Sequence, residues 1–264
     1  MGKILRWAGL LLLAAVAAAA LYLKTPSPRF NAKAAIAVAA DYDARIIRDR
    51  FGVPHIYGKR DADVAFGLAY AHAEDDWKTI EEVILFSRGD LARRDGKDAA
   101  VTDYLIRAMG SAAAIAARYE TDLSDQTRAV AEGYAAGVNF YCAEKSGRCD
   151  AIALPVSGRD VIAGFASRTP FFYGLDDNLT ALFAGDVDVV EKATRAREAY
   201  LRVPKEFEIG SNAMAVSPVR SADGHTRLMV NSHQPYTGPV AWYEARVKSG
   251  EGWDMIGGIF PGSP

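Results

Sequence analysis

One stretch of sequence indicates how the C-terminal part of the chain folds: Gly210-Ser211-Asn212-Ala213-Met214-Ala215-Val216. It is mostly apolar after Ser211, and a second apolar run, Leu228-Met229-Val230, follows a loop rich in turn-forming residues. An antiparallel hairpin about that loop would place Ser211 opposite Ser232 and His233. A hydroxyl nucleophile and a histidine would then meet at one strand end. Because both runs are nearly continuous, we expect a sheet that is covered on both faces.

A second region, upstream of this hairpin, predicts a strand followed by a long helix. Taken alone, a Gly-Ser pair before a strand is common loop sequence, and a histidine at a strand end is usually a surface residue. Upstream, however, residues 46–57 predict a strand that is broken by Gly52 and Pro54. Helical periodicity then begins near Asp61, the expected N-cap, and continues to Leu85.

The middle of the chain is predicted to be helical. Alanine-rich helices are expected over 101–118 and 124–141, the second with Ser124 as its N-cap. Residues 159–200 are also predicted to be mostly helical, apart from the aromatic cluster at 170–174.

These regions, in this order, resemble the penicillin acylase and acyl-homoserine lactone acylase family of N-terminal nucleophile hydrolases. The strand, turn and helix of residues 46–77 are similar to the opening of that family. The runs Gly210–Ala213, Asn231–His233 and Ile256–Pro264 are similar to the start of its large β subunit. The resemblance covers about residues 45–264 and implies an α+β fold, the αββα sandwich of these hydrolases, here incomplete.

The resemblance also divides the chain into segments. Residues 31–185 would be the mostly helical α-chain region, 186–210 a spacer that is excised during maturation, and 211–264 the start of the β chain. An exposed helix is the alternative interpretation of the spacer. Maturation would then yield an α/β heterodimer from one precursor.

The catalytic chemistry implied by the resemblance centres on Ser211. The Ser211 hydroxyl would attack the Gly210 carbonyl, which cuts the chain without an external protease. The freed α-amine of Ser211 would then act as the base for its own hydroxyl. His233 is assigned an orienting role at this strand end, and Asn231 and Gln234 have weaker claims as supporting residues.

The substrate implied by the resemblance is an acyl amide, and no cofactor is expected. Fatty acyl-homoserine lactones, β-lactam antibiotics and acylated peptides are all substrates in this family. Aromatic residues are the candidates for the acyl pocket, although such residues more often belong to a core: Phe171, Phe172, Tyr173 and Trp242. The family's oxyanion donors would fall beyond Pro264, so we expect an N-terminal fragment that is a poor enzyme by itself.

The first 30 residues form a separate segment. Lys3 and Arg6 precede the apolar run Trp7–Leu23, which predicts a secretory signal peptide with cleavage sites near Ala17–Ala20. An uncleaved membrane anchor is the alternative, because the run reaches the lower limit for a membrane span. Either interpretation predicts export, with the folded part facing the periplasm.

Composition, cysteine spacing and histidine spacing indicate which partners, bonds and ligands to expect. The chain of 264 residues is 50% hydrophobic and 24% charged, with a net charge of −2, so nothing favours nucleic acid as a partner. Cys142 and Cys149 are spaced for a local disulfide, which export would favour over two unrelated thiols. The histidines and cysteines lack metal-ligand spacing, so no metal site is expected.

Two other functions compete with the acylase hypothesis. One is a membrane-tethered, non-catalytic helical module in which the Gly-Ser hairpin is only structural. The other is a conventional serine hydrolase, but the chain contains no G-x-S-x-G elbow around Ser211. A break between Gly210 and Ser211 would separate the acylase precursor from the non-catalytic module.

Overall fold

A long central helix, α2 (Asp61–Arg88), organises the fold. Twenty-two of its residues are buried, because other elements cover it on most sides. The computed structural model describes residues 30–172 and 211–264. Within them, helices and a mixed sheet occur together, which confirms the α+β class.

The N-terminal elements are a short helix and a hairpin. Helix α1 (Ala32–Ala39) is capped by Asn31, and strands β1 (Ala44–Arg48) and β2 (Pro54–Gly58) pair antiparallel. The predicted break in residues 46–57 is therefore confirmed. Asp49 makes the turn, since its Oδ1 accepts hydrogen bonds from the backbone N–H groups of Phe51 and Val53.

Helix α2 differs from its prediction in two details. Its N-cap is Arg60 and not Asp61, because the Asp63 carboxylate accepts a hydrogen bond from the Arg60 backbone N–H at 3.0 Å. The helix also kinks at Asp76, whose φ of −148° and ψ of 62° are non-helical. The Asp76 side chain accepts a hydrogen bond from the Thr79 N–H at 3.2 Å, as an N-cap of the second half would.

The remaining helices follow in chain order: α3 (Ala92–Asp95), α4 (Ala100–Met109), α5 (Ser111–Asp122), α6 (Asp125–Glu144) and α7 (Gly158–Phe172). The single helix predicted over 101–118 is wrong, because Gly110 adopts a left-handed φ of 70° and separates α4 from α5. The Ser124 cap of α6 is confirmed by a hydrogen bond to its hydroxyl from the Thr127 N–H at 3.1 Å.

Helix α7 extends into the aromatic cluster that was predicted to interrupt it. It includes Pro170 and ends at Phe172. Pro170 has no N–H to donate to the carbonyl four residues earlier, and the described helix ends two residues after it. The predicted helix beyond Phe172, like the predicted spacer at 186–210, lies outside the described residues.

Helix α6 packs closely along α2. Glycine permits this approach at Gly133, where a Cβ atom would lie 2.5 Å from the carbonyl oxygen of Ala62. The N-terminal end of α7 is tied to the C-terminal end of α2 by Arg88 and Asp160.

Four strands form the larger sheet, in the order β1, β2, β5 (Tyr243–Lys248) and β6 (Asp254–Ile259). Strand β5 runs parallel to β2 and antiparallel to β6.

Strands β3 (Ser211–Val216) and β4 (Arg227–Ser232) form the predicted antiparallel hairpin as a separate two-stranded sheet. The expectation that it is covered on both faces is wrong, since every residue of both strands is exposed. A nearly continuous apolar run shows that the residues suit a covered sheet, but it does not identify an element that covers them.

No described helix is long and apolar enough to span a membrane. The predicted signal peptide or anchor, residues 1–30, lies almost wholly outside the described part of the chain.

Candidate active site

The hairpin brings the proposed nucleophile to one strand end. Ser211 is the first residue of β3 and pairs in register with Ser232, the last residue of β4. His233 follows Ser232 directly, so the predicted juxtaposition is confirmed at the level of strand register. Ser211 is exposed, which leaves its hydroxyl accessible to a substrate.

The His233 ring contacts the residue that follows Ser211. Its Nε2 lies 3.3 Å from the amide Nδ2 of Asn212. When the amide N–H donates, Nε2 must be the unprotonated acceptor nitrogen. His233 thus holds the N-terminal end of β3 through Asn212, a residue that the sequence analysis did not assign to the site.

The two supporting candidates lie in different surroundings. Asn231 is exposed and pairs in register with Asn212. The Oε1 atom of Gln234 is buried and has no hydrogen-bond partner among the described residues. An acceptor of this kind can take a donor from a ligand.

Trp242 also contacts this strand end. Its indole N–H donates to the Ser232 hydroxyl at 2.7 Å, and its ring stacks on Phe260 with centroids 4.3 Å apart. Of the other acyl-pocket candidates, Phe171 and Phe172 are the last residues of α7, and only their backbone is described. Tyr173 and Gly210 lie outside the described residues.

A buried histidine supports the strand that follows Trp242. His72 of α2 stacks on the ring of Tyr243, with centroids 3.9 Å apart and planes 4° from parallel. Its Nδ1 lies 3.4 Å from the Tyr134 hydroxyl. Burial, helped by the charge of Arg168, lowers the pKa of His72 to about 3, so the ring is neutral near neutral pH.

The Tyr243 hydroxyl is held by a small network of charges. It donates to Asp75 Oδ2 at 2.7 Å, and Arg48 donates to the same oxygen at 2.9 Å and to Glu74 at 2.8 Å. Burial, and next the hydrogen bond to Asp75, raise the pKa of Tyr243. A neutral, anchored tyrosine therefore begins β5 beside the site. Helical spacing gave no signal for His72 or Asp75, because their roles depend on a strand far along the chain.

The described residues contain a disulfide but no metal cluster. Cys142 and Cys149 are bonded, with Cα atoms 5.5 Å apart, and close the loop after α6. Across residues 30–172 and 211–264, no three His, Cys, Asp or Glu side chains are grouped to hold a metal ion.

Comparison with known proteins shows the family to which the chain belongs. The penicillin amidase family model matches residues 43–264, and the chain belongs to that family. The non-catalytic alternative is accordingly not favoured.

Two curated relatives are acylases by name. The chain is 27% identical over 244 residues to acyl-homoserine lactone acylase PvdQ of Pseudomonas putida, covering 85% of this chain and 31% of that protein. It is 25% identical over 248 residues to aculeacin-A acylase of Actinoplanes utahensis, covering 84% of this chain and 31% of that protein. The chain therefore spans about a third of their length.

A solved structure shows a weaker likeness. Thermostable penicillin G acylase from Alcaligenes faecalis, in its tetragonal form, is 19% identical with a TM-score of 0.45. That match covers 63% of this chain and 93% of the other.

Proposed function

We propose that this chain belongs to an acylase precursor that cleaves itself before Ser211 and then hydrolyses acyl amides with Ser211 as N-terminal nucleophile. The observation that carries the proposal is the strand end at which Ser211 begins β3 opposite Ser232, with His233 bound to the adjacent Asn212. Membership of the penicillin amidase family supports the same chemistry.

Maturation would use the Ser211 hydroxyl against the preceding peptide bond. The Oγ atom attacks the Gly210 carbonyl carbon, the bond to the Ser211 nitrogen breaks, and the acyl group moves to oxygen. Water then hydrolyses the ester, leaving a carboxylate on Gly210 and an α-amine on Ser211. Glycine favours this step because it places no side chain beside the attacked carbonyl.

Turnover would use the new amine as the general base. An α-amine has a reference pKa of about 7.7–8.0, which suits proton transfer near neutral pH. The amine takes the hydroxyl proton, through a water in our proposal, while Oγ attacks the substrate carbonyl. An acyl-enzyme forms, the amine product leaves, and water releases the carboxylic acid.

The proposed substrate class is an acyl amide with an apolar acyl group. The names of the relatives give two chemical types to test, an acyl-homoserine lactone and an acylated peptide such as aculeacin A. A β-lactam amide is the third candidate. Phe171, Phe172 and Tyr173 remain proposed pocket residues, and residues 186–210 remain the proposed spacer between the α and β chains.

The test of this function is hydrolysis of a panel of acyl amides by the longest natural chain that contains these residues, because the chain spans 31% of its relatives. We expect release of free amine from at least one acyl-homoserine lactone, acyl peptide or β-lactam amide. Ser211→Ala should abolish it, whereas Ser217→Ala, an exposed serine in the hairpin loop, should not. Equal amine release by Ser211→Ala would contradict the proposal.

We further propose that the protein is exported. The basic and apolar N-terminal segment and the Cys142–Cys149 bond support this location. Cell fractionation should recover the protein from the periplasm or envelope, with both thiols unreactive to maleimide in denaturant until a reductant is added. Recovery in the cytoplasm with freely labelled thiols would refute the proposed location.

A further inference from the structure

The hydrogen bond between Trp242 and Ser232 lies next to the proposed nucleophile. The indole N–H donates to Ser232 Oγ at 2.7 Å, and Ser232 is the register partner of Ser211 across the hairpin. Residues in register on antiparallel strands lie about 4.5–5.5 Å apart at Cα. The indole therefore holds the backbone that faces the nucleophile.

The position of the indole is fixed by its own neighbours. Its ring stacks on Phe260 at 4.3 Å, with planes 20° apart. Gly258 lies against it, and a Cβ atom there would come within 2.9 Å of Trp242 Cβ. Stacking on one side and a glycine contact leave the indole little freedom to turn its N–H away from Ser232.

Phe260 is in turn connected to helix α7. The guanidinium of Arg168, a residue that is only 2% exposed, lies 5.3 Å from the Phe260 ring centroid. The same group donates to the carbonyl oxygen of Pro239 at 2.8 Å and to Ser263 Oγ at 3.3 Å. Contacts thus run from a buried helical residue through Phe260 and Trp242 to the strand end.

This connection matters because, among residues 30–172 and 211–264, few other contacts support the hairpin. All residues of β3 and β4 are exposed, and a two-stranded hairpin is marginally stable by itself. A nucleophile that is displaced by about 1 Å can lose roughly 10²-fold in rate. A side-chain bond at the Ser211 end can therefore decide the geometry of the site.

We propose that Trp242 is a positioning residue for Ser211, acting through the hydroxyl of Ser232. This inference rests on the proposed acylase function and replaces the assignment of Trp242 to the acyl pocket. The indole N–H of Trp242 donates its hydrogen bond to Ser232, and 43% of the Trp242 surface is exposed.

Three variants separate the hydrogen bond from the aromatic packing. Trp242→Phe keeps a ring on Phe260 and removes the N–H donor, whereas Ser232→Ala removes the acceptor. Each should lower kcat about tenfold with little change in KM, as expected for one hydrogen bond that holds the reacting geometry. Ser232→Thr, which keeps the hydroxyl, should restore most of the rate.

The double variant tests whether the two residues act through one bond. Once either partner is lost, removing the other should cost little more, so Trp242→Phe with Ser232→Ala should match the single variants. Trp253→Phe and Ser217→Ala, which lie outside the site, are the matched controls and should retain wild-type kcat. Thermal melts should show that all variants fold.

The outcomes distinguish the alternatives. If Trp242→Phe raises KM and changes the preferred acyl length while Ser232→Ala has no effect, Trp242 lines the acyl pocket and the positioning role is wrong. Additive losses in the double variant would also overturn it. An inactive, uncleaved wild type would refute the proposed function itself.

Hydrogen exchange gives a readout that does not depend on activity. It would show directly whether each single variant loosens the strand end at Ser211 and Ser232. Unchanged exchange in both variants would reject the positioning role of Trp242.

Discussion

Ser211 combines two properties at the residue scale. It begins a strand, so cleavage before it would leave an α-amine at a fixed strand end, and it is exposed, so a substrate can approach its hydroxyl. His233 reaches the neighbouring Asn212 at 3.3 Å, so in the proposed function it would support Ser211 through one intermediate residue.

Removing the His233 ring should therefore lower turnover without preventing all self-cleavage. Loss of one positioned group typically costs about 10²–10³-fold in rate, and we expect His233→Ala to lie at the lower end because it acts through Asn212. Initial rates on an accepted acyl amide would measure the loss. The control is His225→Ala, an exposed histidine in the hairpin loop. Unchanged turnover in His233→Ala would mean that the contact with Asn212 has no catalytic role.

The pH dependence of turnover should follow the Ser211 amine. With a reference pKa of about 7.7–8.0, the amine is protonated in acid and cannot accept the hydroxyl proton, so kcat/KM should fall as the pH drops below that range. A pH–rate profile of the processed enzyme would measure this. Activity that stays constant from about pH 8 to pH 5 would exclude the amine as base.

At this scale the sequence predicted positions but not contacts. The two apolar runs and the turn-forming loop between them placed Ser211 opposite Ser232 and beside His233, since pairing depends on local pattern and loop length. The contacts of Asn212 with His233, and of Ser232 with Trp242, depend on side-chain directions in three dimensions. Hence Asn212 was missed, and Ser232 was placed opposite Ser211 without its bond to Trp242.

At the scale of elements, one ion pair joins helices α2 and α7. Arg88 at the end of α2 binds Asp160 in the first turn of α7 through two hydrogen bonds, of 2.7 and 2.8 Å. The Ser157 hydroxyl and backbone N–H also donate to Asp160, whose side chain is 13% exposed. Burial alone would raise the pKa of Asp160, but the Arg88 and Ser157 hydrogen bonds hold it below its usual value.

Asp160→Asn should consequently destabilise the fold by about 2 kcal/mol near neutral pH, because Arg88 loses its charged partner. Asp122→Asn, which breaks an exposed pair with Arg118, is the control and should change the free energy of unfolding by less than about 0.5 kcal/mol. Urea unfolding would measure both. Equal, small losses would show that the Arg88 pair is as weak as a surface pair.

The pH dependence of this effect has a definite sign. Because the folded pKa of Asp160 is depressed, its contribution is fully present above the unfolded pKa and is lost as the pH falls through the folded pKa. The difference in unfolding free energy between wild type and Asp160→Asn should therefore shrink in acid.

The elements that were predicted best are those with local signals. The Ser124 cap, the break between β1 and β2 and the β3–β4 hairpin all depend on residues near in sequence. The kink at Asp76, the break at Gly110 and the exposure of the hairpin were not predicted. Periodicity averages over several turns, so it does not register one residue whose side chain or left-handed φ ends a helix.

At the scale of the whole molecule, two regions distant in sequence form one assembly. Helix α2 places His72 against Tyr243, and Asp75 against its hydroxyl, so residues on both sides of the proposed cleavage site contact each other. We expect the two chains to remain associated after cleavage. Size-exclusion chromatography without denaturant should show them eluting together, and separate elution would contradict this arrangement.

The central claim is that Ser211 becomes an N-terminus through its own hydroxyl. The most direct measurement is intact mass spectrometry with N-terminal sequencing of the purified protein, expressed as the longest natural chain. Wild type and Ser217→Ala should both yield a chain that begins Ser-Asn-Ala-Met, whereas Ser211→Ala should remain uncut at this junction. A wild type that stays intact between Gly210 and Ser211, or a Ser211→Ala variant that is still cut there, would contradict the account.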